Sequence, residues 1–235
     1  MSSARLAGSP GPHVFVDSLA SPVLNEDDVA HLERSLRMRD GDALTLSDAR
    51  GSWCRARFRS GGAVEVDGET FVVAEPEYPI TVAFSLVKGA KPEFVIQKLT
   101  EVGVDHIVVL DAERTIVRWD EAKVTKAKSR WDRVVREASM QSHRVRLPSV
   151  EGIVSASSYL ASSPDLRVAH FDGRPIGSHD RAIAIGPEGG WSDPELANSG
   201  DRVRLGETVQ RSETAAISAA ALLTAARAGA ANNGG

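Results

Sequence analysis

The 235-residue chain holds a single cysteine, Cys54. A lone thiol excludes an intramolecular disulfide framework and any zinc site built on cysteines, so no metal centre is expected, and it fits a reducing compartment. Long apolar runs are missing too. The longest weakly apolar stretch lies between Glu213 and Arg227, is mostly alanine and is too short to span a bilayer. Met1 to Pro12 is small and polar, without the apolar stretch of a secretory leader. The expectation is a soluble, cytoplasmic protein with no membrane partner. What is present, 42% hydrophobic and 26% charged residues, suits a buried core in one large domain or in a large and a small one.

The net charge of −4 hides an asymmetry. Between Arg118 and Arg146 nine Lys or Arg face four acids, and from His31 to Ser60 seven Arg face four. The stretch from Leu147 onward carries seven basic and ten acidic residues. Basic blocks in an acidic chain favour a polyanion, because Lys and Arg displace counterions from phosphate. Solvated helix and strand faces account for such charges more simply. Charge by itself therefore assigns no partner.

Two regions differ in pattern. Alternation at His13–Asp17, Ala43–Ser47, Trp53–Phe58 and Ala63–Val66, broken by Asp-Gly, Arg-Gly and Gly-Gly turns, predicts short strands closing into a small barrel. One helix interrupts them, capped by Asn25 or Asp27, with Val29, Leu32 and Leu36 as its buried stripe. The proline-rich stretch 74–79 is the expected linker, dividing a domain over 1–75 from one over 80–230. Beyond it, strands at 81–87, 106–110, 166–171, 181–186 and 203–206 alternate with helices after Pro92, over 119–141, after Ser192 and over 212–228. That order predicts an α/β domain with a mostly parallel, doubly covered sheet.

Two predicted strands end in glycine bends: Gly186-Pro187-Glu188-Gly189-Gly190 and Leu205-Gly206. Open α/β sheets bind ligands beyond the carboxyl ends of their strands, and glycine lets main-chain groups approach a ligand closely. The first bend lacks the Lys-Ser/Thr of a P-loop and the order of a dinucleotide fingerprint. Arg211 precedes a helix whose alanines, Ala215, Ala216, Ala219 and Ala220, permit close backbone packing. A cation opposes the dipole at a helix N-terminus, which points to an anionic or electron-rich partner.

With these motifs the chain resembles the RsmE family of SPOUT-class RNA methyltransferases. The resemblance rests on His31-Leu32, Leu36-Arg37-Met38, Gly41-Asp42, Lys88-Gly89-Ala90-Lys91, the run Gln97 to Val104, Glu113-Arg114, Gln141-Ser142-His143-Arg144, and the two bends with Arg211-Ser212-Glu213-Thr214-Ala215. It implies an N-terminal PUA-like β-barrel and a C-terminal SPOUT domain with a trefoil knot, usually in a homodimer. It further implies S-adenosylmethionine as cofactor and N3 of a uridine in 16S rRNA of the small ribosomal subunit as target. The implied cofactor residues are His170, Gly186, Glu188, Gly189, Gly190, Leu205, Gly206 and Arg211. Implied RNA contacts are Arg37, Lys88, Lys91, Arg114 and Arg144. Met140 and Gln210 depart from the family's usual Glu and aliphatic residue.

For such a transfer a cation beside the uracil oxygens eases loss of the N3 proton, and Arg211 is the expected one, ahead of Arg114 or Arg144. Glu188 and Glu213 are both candidates for the proton acceptor, with loop-capping and helix-start roles as the plain alternatives. Another RNA target for the same chemistry, or a non-catalytic RNA-binding assembly factor, would use the same barrel and basic helix.

Overall fold

A computed structural model describes residues 11–88, 91–117 and 119–233. Gly89 and Ala90 of the expected Lys88–Lys91 loop lie outside them. The chain forms two compact units, one made of residues to Pro76 together with Arg136–Leu147, the other of Glu77–Val135 with Pro148 onward.

In the first unit β1 (His13–Phe15), β2 (Ala43–Ser47), β3 (Ser52–Arg59) and β4 (Ala63–Val72) form one sheet in the order β1-β2-β3-β4. β1 pairs in parallel with β2, and the other pairs are antiparallel. From Cys54 the residues of β3 alternate: Cys54, Ala56 and Phe58 are buried while Arg55, Arg57 and Arg59 face solvent. Asn25 caps α1 (Glu26–Ala30), its side chain accepting from the Asp28 N–H. Leu32 is buried as expected, but Leu36 is 48% exposed. The helix widens into a π-turn over His31–Ser35, closed by Leu36 N–H donating to His31 O at 3.1 Å. The extra residue per turn rotates Leu36 off the buried stripe.

Residues 136–147 join this unit by specific bonds. The Arg136 guanidinium donates to both oxygens of buried Asp28, at 2.9 and 2.7 Å, and to Phe15 O at 3.2 Å. Val145 packs on Trp53, and its carbonyl accepts from the Gly51 N–H at 3.0 Å.

The second unit contains β5 (Thr81–Ser85), α2 (Lys91–Val102), β6 (His106–Asp111), α3 (Glu121–Gln141, up to Val135), β7 (Ser149–Ser155), α4 (Ala156–Ser162), β8 (Arg167–Pro175), β9 (Ala182–Ile185), α5 (Asp193–Ala197), β10 (Arg202–Arg204) and α6 (Ser212–Asn233). All six strands are parallel, in the order β10-β8-β9-β5-β6-β7. Strand alternation divides the core in two. Val82, Phe84, Ile107, Val109, Ile183 and Ile185 pack with residues of α2, α3 and α6. Ala83, Val108, Leu110, Val168 and Ala184 pack with Leu160, Leu196 and Trp191. The expected alanines Ala215, Ala216, Ala219 and Ala220 are the buried stripe of α6. The sequence pattern missed β7 and α4, a strand interrupted by Gly152 and a serine-rich helix. No helix among the described residues is long and apolar enough to cross a membrane.

Candidate active site

The sheet order reverses between β5 and β9, where ligands of open α/β sheets bind. The expected residues of the second unit gather on that carboxyl edge. Lys88 and Lys91 follow β5, Glu113 and Arg114 follow β6, His170 lies in β8, Gly186–Gly190 follow β9 and Leu205–Gly206 follow β10. Arg37 and Arg144 belong to the first unit. Arg37 is exposed in a left-handed conformation at φ 56°, and the Arg144 carbonyl accepts a bond from His13 Nε2 at 3.0 Å.

One correction concerns the strand that carries His170. It does not end at residue 171, as the pattern predicts, but continues to Pro175. Pairing with β9 stops at Val168 opposite Ala184, and on the other side the register jumps from Val168 to Arg174. Residues 169–173 therefore lie beyond the pairing with β9 and across a register shift against β10, whose main chain Gly173 still abuts. His170 bonds Asp172 within this stretch, and that bond holds the Asp172 carboxyl below its ordinary range. Arg202 pairs with the same carboxylate at 3.2 Å.

The first glycine bend is shaped by its neighbours. A Cβ on Gly186 would stand 2.9 Å from two atoms of the Trp191 ring, so any side chain there forces the ring or the bend to shift. Trp191 is buried and donates from Nε1 to Ala169 O at 3.3 Å. Gly190 closes the turn at φ 73°, its N–H bonded to Pro187 O at 2.9 Å. Glu188 is exposed, with no hydrogen-bond partner for its side chain among the described residues.

The start of α6, six residues after Gly206, reaches the first bend. Ser212 Oγ donates to Gly186 O at 2.9 Å, fixing the start of α6 against the end of β9. Arg211, just ahead, is exposed, and its carbonyl accepts the first helical bond from the Ala215 N–H. Glu213 Oε1 accepts from Lys91 Nζ at 2.8 Å. That bond, aided by nearby Arg211, holds the Glu213 carboxyl below its usual range. Leu205 packs on the core, whereas a Cβ on Gly206 or Gly190 would meet nothing within 4 Å. At Gly190 and Gly206 the main chain is therefore open to the close approach of a ligand.

Arg114 donates from Nη1 to Trp191 O at 3.0 Å and to Gly189 O at 3.4 Å, holding the main chain of the first bend. Three contributors were missed in the sequence: Trp191, Ser212 and Glu195. The Ser192–Glu195 capping box was legible, and the structure contains it. That Glu195 also bonds the Glu113 N–H, at 2.9 Å, was not.

An α/β unit with glycine bends at its switch point and a basic rim matches the RNA methyltransferase domain family, whose model covers residues 74–224. A ribosomal RNA small subunit methyltransferase E of Mycobacterium bovis is 32% identical over 227 residues, covering 86% of this chain and 87% of that protein. The crystal structure of a ribosomal RNA small subunit methyltransferase E from Neisseria gonorrhoeae, bound to S-adenosylmethionine, superimposes with a TM-score of 0.77 at 28% identity, covering 89% of this chain and 95% of that one. A Legionella pneumophila structure described as a putative methyltransferase with bound SAM gives 0.80 at 27% identity, over 93% and 98% of the chains. The chain belongs to the ribosomal RNA small subunit methyltransferase E family, as the sequence motifs had indicated.

Proposed function

We propose that the chain transfers the methyl group of S-adenosylmethionine to N3 of a uridine in 16S rRNA of the small ribosomal subunit, acting in the cytoplasm as a homodimer. The observation that carries this reading is the 2.9 Å bond from Ser212 Oγ to Gly186 O, which brings the segment bearing Arg211 and Glu213 to the first glycine bend. The SAM-bound Neisseria and Legionella structures, similar over most of the chain, support the cofactor. The name shared with the Mycobacterium protein supports the RNA.

In this reading the first unit is the PUA-like barrel that holds RNA, with Arg55, Arg57 and Arg59 on the exposed side of β3 in its support. Arg37 and Arg144 serve the same RNA in that unit, and Lys88 and Lys91 in the second. The second unit carries the family's trefoil knot. Its chain leaves β10 at the outer edge of the sheet and begins α6 against Gly186, two strands inward, as a threaded path requires.

When bound, S-adenosylmethionine supplies an electrophilic methyl carbon on a sulfonium. Gly186, Glu188, Gly189, Gly190, Leu205 and Gly206 are the residues that would hold it, with His170 in β8 just beyond its pairing with β9. Alignment of nucleophile and methyl carbon lowers the barrier by as much as about 7–11 kcal/mol. Arg211 and the positive end of the α6 dipole set a positive potential where the uracil ring loses its N3 proton. Glu213 is engaged by Lys91 and orients that side chain. Glu188 lacks such a partner among the described residues and is the better placed proton acceptor.

The test is methyl transfer from labelled donor to naked 16S rRNA and to small subunits, followed by primer extension. One strong stop at a uridine is expected, because N3 methylation blocks the Watson–Crick edge. Incorporation without a stop would move the target to a 2′-hydroxyl. No saturable donor binding by calorimetry would leave an RNA-binding assembly factor.

A further inference from the structure

We infer that Glu195 is a positioning residue for the donor-binding loop, acting with Arg114 as a clamp that ties the segment after β6 to the bend after β9. The inference rests on the methyltransferase reading of that bend. Glu195 is 1% exposed, and both its oxygens are used. Oε2 accepts from the Ser192 N–H at 2.9 Å, closing the capping box of α5, and Oε1 accepts from the Glu113 N–H at 2.9 Å.

Capping needs only one of these oxygens, and Gln serves that position as well as Glu. The second oxygen is what a carboxylate adds. It fixes Glu113, and so presents Arg114 to Trp191 O and Gly189 O from the opposite side. A buried carboxylate is costly unless its oxygens are satisfied, and here two main-chain N–H groups satisfy it. The bend is thus held between the Trp191 ring beneath Gly186 and the Arg114 guanidinium on Gly189. Its main-chain groups can then stand in place before the donor arrives, so binding need not order them.

In Glu195→Gln the carboxamide oxygen keeps the Ser192 bond, while its NH2 group faces the Glu113 N–H, donor against donor. The bond to the Glu113 N–H is lost, and α5 keeps its cap. In Arg114→Ala the other half of the clamp is lost from an exposed side chain. Calorimetry with S-adenosylmethionine on the full chain should show a roughly ten-fold weaker Kd for either variant, the scale of one charge-assisted bond. In Glu195→Gln the donor KM should rise in step, with kcat at saturating donor within about two-fold of the parent, and Arg114→Lys should recover part of the donor Kd lost in Arg114→Ala. Faster amide exchange at Gly189 and Gly190 is expected in the absence of donor. An unchanged donor Kd and unchanged exchange in a folded Glu195→Gln would overturn the inference and leave Glu195 as a helix cap. If that variant does not fold, an unchanged Kd in Arg114→Ala overturns the clamp by itself. A parent protein that binds no donor fails the methyltransferase reading instead, and the inference falls with it.

Discussion

Lys91 Nζ lies 2.8 Å from Glu213 Oε1, joining the first residue of α2 to the first turn of α6. The lysine is 46% exposed, so the pair contributes little to stability, below about 1 kcal/mol. Its consequence is electrostatic. Glu213 stays ionised to a pH below the usual carboxylate range, and its charge remains fixed beside Arg211 at working pH. Glu213→Gln should leave the melting temperature within a degree or two while lowering methyl transfer. A pH–rate profile of the parent should show no inflection from this group within or above the ordinary carboxylate range. An acid limb present in the parent and absent from Glu213→Gln would mark it as the titrating base instead.

Arg211→Ala should abolish methyl transfer to RNA while donor binding survives in part. The guanidinium acts on the uracil as its charge develops, and removing one such stabilising donor costs on the order of 100-fold or more in rate. Single-turnover transfer and donor calorimetry measured side by side will separate the two effects. Full activity in the variant would remove Arg211 from the reaction.

Two glycine substitutions should fail in different ways. Gly186→Ala forces a methyl group 2.9 Å from the Trp191 ring, and overpacking of this kind costs about 1–3 kcal/mol. It should lower both the melting temperature and donor affinity. Gly206→Ala meets nothing within 4 Å and should melt like the parent. Its added methyl enters the space before the second bend, so donor Kd should rise without loss of fold. Thermal melts and calorimetry on the pair decide whether that space is the binding site.

In the first unit, His13 is buried between Thr45 Oγ1, 3.0 Å from its Nδ1, and Arg144 O, and stacks on His143 at 5.8 Å. Burial, together with His143, lowers its pKa from 6.5 to about 4. The folded chain thus keeps His13 neutral where the unfolded chain binds a proton. Its contribution to stability is complete above about pH 6.5 and is lost as the pH falls towards 4, by up to about 1.4 kcal/mol per pH unit. Melting temperatures from pH 7.5 to 4.5 should fall more steeply for the parent than for His13→Gln. Parallel slopes would show that His13 titrates normally.

The legible parts of the fold were those with a strong period or a stereochemical marker. Val95 and Leu99 lie on the buried face of α2, Gly103 ends that helix at φ 105°, and Ser192 caps α5 with Glu195. Leu36 was misplaced because a π-turn breaks the 3.6-residue period on which the stripe was counted. α4 was overlooked because Ala156–Ser162 carries three serines, a composition typical of loops and caps. Nothing in the periodicity of α3 marks Arg136 as the residue where a continuous helix passes to the other unit.

The amino-acid sequence determined the chemistry on offer: glycines at two strand ends, a basic residue ahead of an alanine helix, and the motifs that place the chain in its family. These are local, since a bend, a cap or an amphipathic period is encoded within a few residues. Tertiary structure alone decided which loops meet. Glu195 reaches Glu113 across 82 residues, Lys91 reaches Glu213 across 122, and Ser212 reaches Gly186 because α6 returns inward from β10. Hydrogen bonds between segments so far apart depend on strand order and register, which only the packed sheet fixes.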